Sequence, residues 1–291
     1  MIYEVSHRTV YRYSLPVSIS HHLLHLTPRH GRWQTCRDTA LEITPAPSVR
    51  TPSTDYFGNP TTFLTVQQSH VELVLHALSS IDVADRPVPE PAETPAWESV
   101  RDTVRGDRSP EALQALEFTF ASPYVPLASE LRAYAARSFR PGRPILEGAR
   151  ELTSRIYRDF TYEPGATTLG TGVLRAFAMR RGVCQDFAHI QIACLRALGL
   201  PARYISGYLL TRPPEGKERL VGADASHAWL SVWVPGHHWI DLDPTNDLIP
   251  GREHITIGWG RDYGDVSPVS GVMFGGGAHE VKVAVDVLAA G

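Results

Sequence analysis

Cys184 directly follows Arg180-Arg181-Gly182-Val183 and opens a run, 184–198, whose apolar spacing is helical and which closes at Gly199-Leu200-Pro201. A cysteine in the first turn of a helix meets the positive end of the backbone dipole, and with two arginines upstream that setting suits a nucleophilic thiolate. The commoner fate of a cysteine is core packing. That fate fits Cys194, which sits mid-run among Ile190, Ile192, Ala193, Leu195 and Leu198, and it fits Cys36.

A nucleophile of this kind needs a base, and the base needs a group to orient it. The stretch 226–243 supplies both. Val234-Pro235-Gly236-His237 separates two alternating runs, and a tight turn there folds them into an antiparallel hairpin whose opposed positions sum to about 471. Ala228, Leu230, Val232 and Val234 then share an apolar side with Ile240 and Leu242, which leaves His227 and Asp243 together on the other. Asp241 alternates onto that same face and is the competing carboxylate. In this register it lies one strand step farther from His227 than Asp243 does.

Other polar groupings are weaker. His21-His22-Leu23-Leu24-His25 lies in β-rich sequence with no acidic third ligand. Asp241, Asp243, Asn246 and Asp247 resemble part of a calcium loop, but Asn246 takes the glycine position, Pro244 intervenes, and Arg252 stands where the closing glutamate belongs. No metal or organic cofactor is expected. His189, on the same helix as Cys184 but turned from it, reads as a packed histidine. Gly275-Gly276-Gly277 lacks the flanks of a phosphate loop and reads as a turn. Tyr162, Tyr204 and Tyr208 could line a site, although aromatic residues beside short strands more often serve the core.

The elements that must position these groups are legible as an α+β chain. Val5, His7, Thr9, Tyr11 and Tyr13 alternate with polar neighbours, and β-rich runs follow at 39–44, 56–66 around Gly58-Asn59-Pro60, and 70–78. Residues 1–83 therefore form an antiparallel β domain. A connector, 84–97, carries Pro87, Pro89, Pro91 and Pro95 and favours an extended course. Residues 98–291 hold the catalytic segment. Ser109-Pro110-Glu111 starts one helix, others span about 129–139 and 145–160, and strand patterns return at 203–210, 226–234, 238–242 and 280–288.

The chain has 291 residues with 43% hydrophobic and 20% charged residues, enough for a sizeable core and too few charges for a disordered chain. Its net charge of −3 argues against nucleic-acid backbones and anionic membranes as partners. Three cysteines without a pairing pattern, no secretory leader and no long apolar run point to a cytoplasmic protein. Composition leaves the oligomeric state open.

The order Cys184, His227, Asp243 in a helix-then-hairpin context resembles the transglutaminase-like family of cysteine acyl-transferring enzymes, itself distantly papain-like. The likeness rests on Arg181-Gly182-Val183-Cys184-Gln185-Asp186-Phe187-Ala188-His189, on Ala223-Asp224-Ala225-Ser226-His227-Ala228-Trp229, and on Trp239-Ile240-Asp241-Leu242-Asp243-Pro244-Thr245-Asn246. Leu26-Thr27-Pro28-Arg29 and Asp55-Tyr56-Phe57-Gly58-Asn59 are similar to the N-terminal region of bacterial members. The resemblance implies Cys184 as nucleophile, His227 as general base and acid, and Asp243 as the orienting carboxylate. It implies a peptide, protein or other amide substrate. Hydrolysis, as a peptidase or amidase, is slightly favoured over amine transfer by a transglutaminase. A reading from another class is a protein-binding module with a silent core, against which the intact set of three groups counts.

Brief iodoacetamide treatment followed by mass mapping should label Cys184 ahead of Cys36 and Cys194, because only it combines a helix start with a nearby base. Faster labelling of either other thiol would contradict this.

Overall fold

The computed structural model describes residues 1–211 and 226–290. The alternation at the start of the chain becomes one 23-residue strand, β1 (Ile2–Leu24). Strands β2 (Gln34–Thr44), β3 (Val49–Thr54), β4 (Pro60–Val66) and β5 (His70–Val83) join it in an antiparallel sheet ordered β2-β5-β1-β4-β3. The run expected to be strand from 56 begins only at Pro60. Ahead of it Asp55 makes a turn: its Oδ1 accepts the N–H groups of Phe57 and Asn59 at 2.9 and 2.7 Å, and Gly58 takes φ +77°. His21 and His22 fall on opposite faces of β1; His21 bonds Thr65 Oγ1 at 2.9 Å, while His25 bonds the Ser267 carbonyl at 3.1 Å.

Six helices are described next: α1 (Trp97–Gly106), α2 (Pro110–Glu117), α3 (Ser129–Ala136), α4 (Ile145–Asp159), α5 (Val173–Met179) and α6 (Cys184–Ala197). Ser109 caps α2, its Oγ accepting the Ala112 N–H at 3.3 Å. Two short strands, β6 (Thr161–Tyr162) and β7 (Arg181–Gly182), pair in parallel just ahead of α6. Four more, β8 (Ala202–Leu209), β9 (Ser226–Val234), β10 (His238–Leu242) and β11 (His254–Gly260), form a second antiparallel sheet ordered β10-β9-β8-β11. Helix α6 lies at the centre of the main core, with Phe187, Ile190, Ile192, Ala193, Cys194 and Leu195 buried in one cluster with Leu230 and Val232 of β9. The helix is buried nearly all round, its polar Asp186, His189, Gln191 and Arg196 included, so it is covered on several sides.

The domain boundary read from the sequence needs one correction. β12 (Val269–Gly275) and β13 (His279–Ala290) do not belong to the catalytic sheet but pair antiparallel with β1, from Leu24↔Val269 to Ile2↔Ala290. Their alternation identified strands but not partners, which are non-local. The chain thus closes back onto its own first strand.

A second link joins the two sheets. Strand β11 has β8 on one side, and its other edge is met by side-chain amides from the N-terminal region. Gln34 donates to the Thr256 carbonyl at 2.7 Å and accepts its N–H at 2.8 Å; Asn59 does the same for Trp259 at 2.8 and 3.0 Å. Each amide thereby stands in for a strand residue and satisfies an edge that would otherwise be open. Arg29 lies over the Trp259 ring at 3.2 Å, and Arg203 over the same ring at 3.9 Å. The two N-terminal motifs around Arg29 and Asn59 therefore converge on one strand of the other sheet.

Asn59→Ala should lower the unfolding free energy by about 1–3 kcal/mol, since it leaves both polar groups of Trp259 without their partner. Urea melts of the two proteins would measure it. A loss below about 0.5 kcal/mol, the usual scatter of surface changes, would show that solvent replaces the amide.

Candidate active site

Cys184 is the first residue of α6 and is partly exposed. Its position is fixed from below by Asp186, whose Oδ2 accepts the Val183 N–H at 2.8 Å and the Thr167 hydroxyl at 2.6 Å. Gly182 makes room for this cap: a Cβ there would stand 2.5 Å from Asp186 Oδ2. The two arginines upstream serve other purposes. Arg180 sits over the rings of Phe177 and Phe160 at 4.2 and 4.6 Å, and Arg181 pairs with Glu163 at 3.4 Å. Among the described residues, the groups that favour negative charge at the thiol are the helix terminus, whose first N–H groups lack intrahelical acceptors, and His227.

His227 is the second residue of β9 and is buried. Its Nε2 lies 2.7 Å from Asp243 Oδ2, and Cys184 lies near enough to act on the ring's charge. With Nε2 committed to the carboxylate, Nδ1 is the nitrogen left for the thiol. Burial alone would push this imidazole down, but the hydrogen bond to Asp243 and the closeness of Asp243 and Cys184 raise it to about 10. Residues 223–225 of the motif before His227 lie outside the described residues.

Asp243 is fully buried. Its Oδ1 accepts the N–H groups of Thr245 and Asn246 at 2.9 and 3.3 Å. Its Oδ2 accepts from His227, from Asn246 Nδ2 at 2.7 Å and from His254 Nε2 at 3.1 Å. Burial opposes the charge, but the bonds from the two histidines outweigh it and hold the carboxyl well below the usual carboxylate range.

The hairpin register differs from expectation by one. Pairs run His238↔Val234 to Leu242↔Leu230, so opposed positions sum to 472. An even sum pairs like parities, which sets Asp241 opposite Ser231 and keeps His227 and Asp243 on one face. Asp241 turns to structural partners: the Ser231 hydroxyl at 2.5 Å, the Trp229 indole N–H at 3.1 Å, and the guanidinium of Arg86 from the connector. Asp247 instead accepts the Ser154 hydroxyl at 2.6 Å, so the acidic residues of the calcium-like stretch face different ways.

His189 is buried, accepts the Tyr263 N–H at 3.1 Å, stacks on Tyr124 and is pushed down to about 3 by burial and by Arg196. Cys194 is sealed in the core, where burial pushes its thiol up to about 12. Tyr204 is buried near Cys184, Tyr208 is buried against His7 Nδ1 at 2.7 Å, and Tyr162 stays half-exposed close to Cys184.

Sequence reasoning missed His254, Asn246 as a side-chain donor, and Trp229, whose ring stacks on His227 at 5.9 Å. The overlooked signal for His254 was the alternation His254-Ile255-Thr256-Ile257 after Gly251, a strand pattern. His227, Asp243 and His254 bring ligand atoms within 4.8 Å of one another, a grouping that could hold a metal ion. Both imidazoles, however, point Nε2 at an acceptor-only carboxylate, so those nitrogens carry protons rather than the free lone pairs a metal needs.

Residues 3–82 match the bacterial transglutaminase-like N-terminal region, and residues 132–244 match the transglutaminase-like superfamily. An uncharacterised protein of Mycobacterium tuberculosis is 45% identical over 98% of this chain and 92% of its own length. A protein-glutamine gamma-glutamyltransferase of Pseudomonas aeruginosa is 34% identical over 35% of this chain and 16% of its own. Among solved structures, a candidate cysteine protease from Cytophaga hutchinsonii superposes with a TM-score of 0.76 at 22% identity, covering 99% of this chain and 90% of that one. It shares the fold.

Because the folded value for His227 lies above its free value of 6.5, the stability this group contributes is complete below pH 6.5 and is lost as pH rises through about 10. Imidazole NMR should place its titration near that upper value. In Asp243→Asn the titration should fall toward or below 6.5, since burial then goes uncompensated. An unmoved titration would show that Asp243 does not set the charge of His227.

Proposed function

The chain belongs to the bacterial transglutaminase-like family, and on that footing we propose that it is a cysteine-dependent acyl-transfer enzyme acting on peptide or other amide bonds. The observation that carries this reading is the hydrogen bond between His227 and the buried Asp243, with Cys184 beside that imidazole at the start of a helix. With the proton already held on His227, Cys184 Sγ attacks the amide carbon, and the new C–S bond leaves negative charge on the carbonyl oxygen. The Cys184 N–H, in the first turn of α6, is positioned as one donor to that oxygen. His227 then returns its proton to the nitrogen as the C–N bond breaks, and a thioester remains. Water, deprotonated by His227, cleaves the thioester and regenerates the thiol.

Hydrolysis is placed first because Cys184 is partly exposed and its neighbour Tyr162 is half-exposed, which gives water an approach. Transfer to an amine is the second reading, and it is favoured by the match to the Pseudomonas aeruginosa enzyme. Both share every step up to the thioester. They part in what reaches it, a property of the pocket and not of the three groups.

A panel of glutamine-containing and peptide amide substrates, assayed with and without a labelled primary amine, tests the proposal. Cys184→Ala should abolish turnover. Asp243→Asn should lower it by roughly 10³- to 10⁴-fold, by analogy with the aspartate of serine-protease triads. Asp241→Asn should act mainly on stability, since that carboxylate holds Trp229, Ser231 and Arg86. Greater loss of turnover from Asp241→Asn than from Asp243→Asn would overturn the assignment.

A further inference from the structure

His254 opens β11 and is buried. Its neighbours Ile255 and Ile257 are core residues. A histidine in such a position costs desolvation that an apolar side chain would not, unless its polar atoms are used. The ring uses one. Nε2 lies 3.1 Å from Asp243 Oδ2, while Nδ1 is buried with no hydrogen-bond partner among the described residues. Since a carboxylate only accepts, Nε2 bears the hydrogen, and among the described residues the ring's single polar contact is the carboxylate beneath His227.

The ring is also held rigidly. It meets the Trp229 indole edge-on at 5.1 Å, on an indole that stacks against His227 and donates to Asp241. Its backbone carbonyl accepts from Arg86 Nη2 at 3.3 Å, and the next strand position but one, Thr256, is clamped on both polar groups by Gln34. We propose that His254 is a positioning residue: its Nε2–H fixes the Asp243 carboxylate for His227 and ties it to the strand that the N-terminal region grips. The role rests on the acyl-transfer reading for its catalytic meaning, but the geometric claim stands apart from any substrate.

The test uses iodoacetamide on the full chain, so that no substrate need be known. His254→Phe keeps an aromatic ring but removes the donor; His254→Gln restores a donor at similar reach. At pH 6, His254→Phe should slow Cys184 alkylation by about tenfold, the value of one charged hydrogen bond, while at pH 9.5 it should stay within about twofold of the unsubstituted protein. His254→Gln should recover most of the pH 6 rate. An alkylation profile of His254→Phe that overlays the original, or a His254→Gln as slow as His254→Phe, would overturn the proposal.

Should His254→Phe fail to fold, imidazole ¹⁵N NMR of the unsubstituted protein decides the matter, with His254 assigned from the spectrum of His254→Gln. A hydrogen on Nε2 supports the role; a ring whose hydrogen sits on Nδ1 alone refutes it. Failure of the acyl-transfer reading would look different: no amide turnover at all, with the alkylation contrast between the variants intact.

Discussion

A carboxylate with no exposure to water is the most demanding group in this molecule. Asp243 is fully buried, and moving such a charge out of water is tolerable only when its oxygens are saturated with donors. Five are supplied, and they arrive from three places: His227 on β9, His254 on β11, and the backbone and side-chain N–H groups of the turn that follows β10. Any error in the placement of those strands leaves an anion unpaired. The second sheet is therefore organised around Asp243 as much as around its apolar core, and the orientation of His227 toward α6 follows from it.

That requirement gives the N-terminal region a role within the site. Gln34 and Asn59 complete the outer edge of β11, Arg29 covers Trp259, and Arg86 from the connector reaches both Asp241 and the carbonyl of His254. Strands β12 and β13 then return the end of the chain to β1. The two sheets are joined by hydrogen bonds and stacked cations in addition to apolar contact, which sets orientation as well as proximity. The proline-rich connector is more than a spacer, because it delivers a guanidinium to a buried carboxylate one strand position from the site.

How much of this could be read from residues alone depends on how local each signal is. The start of α6 at Cys184, the cap at Ser109 and the stop at Gly199, with φ +80°, are local and were legible. The hairpin that unites His227 with Asp243 was legible from the alternation of its apolar residues, but the expected odd sum would have set the two on opposite faces; the observed sum is even, and the turn does not fix its own hydrogen-bonding pattern from sequence. The return of β12 and β13 to β1 was not legible, since alternation marks a strand without naming its partner. The fates of Arg180 and Arg181 were misread for the same reason: their partners are Phe177 of α5, Phe160 at the end of α4 and Glu163 just after β6. His254 was missed because a lone histidine in a short apolar run has no signature until the carboxylate across the sheet is seen.

The central claim is that the Asp243–His227 pair beside Cys184 serves covalent acyl transfer. Intact-mass spectrometry of an acid-quenched reaction with an amide substrate measures this most directly. The account predicts a mass increase equal to the acyl group, mapped to Cys184 and released by hydroxylamine as a thioester would be. Turnover proceeding with Cys184 unmodified throughout, or an acyl group carried on another side chain, would contradict it.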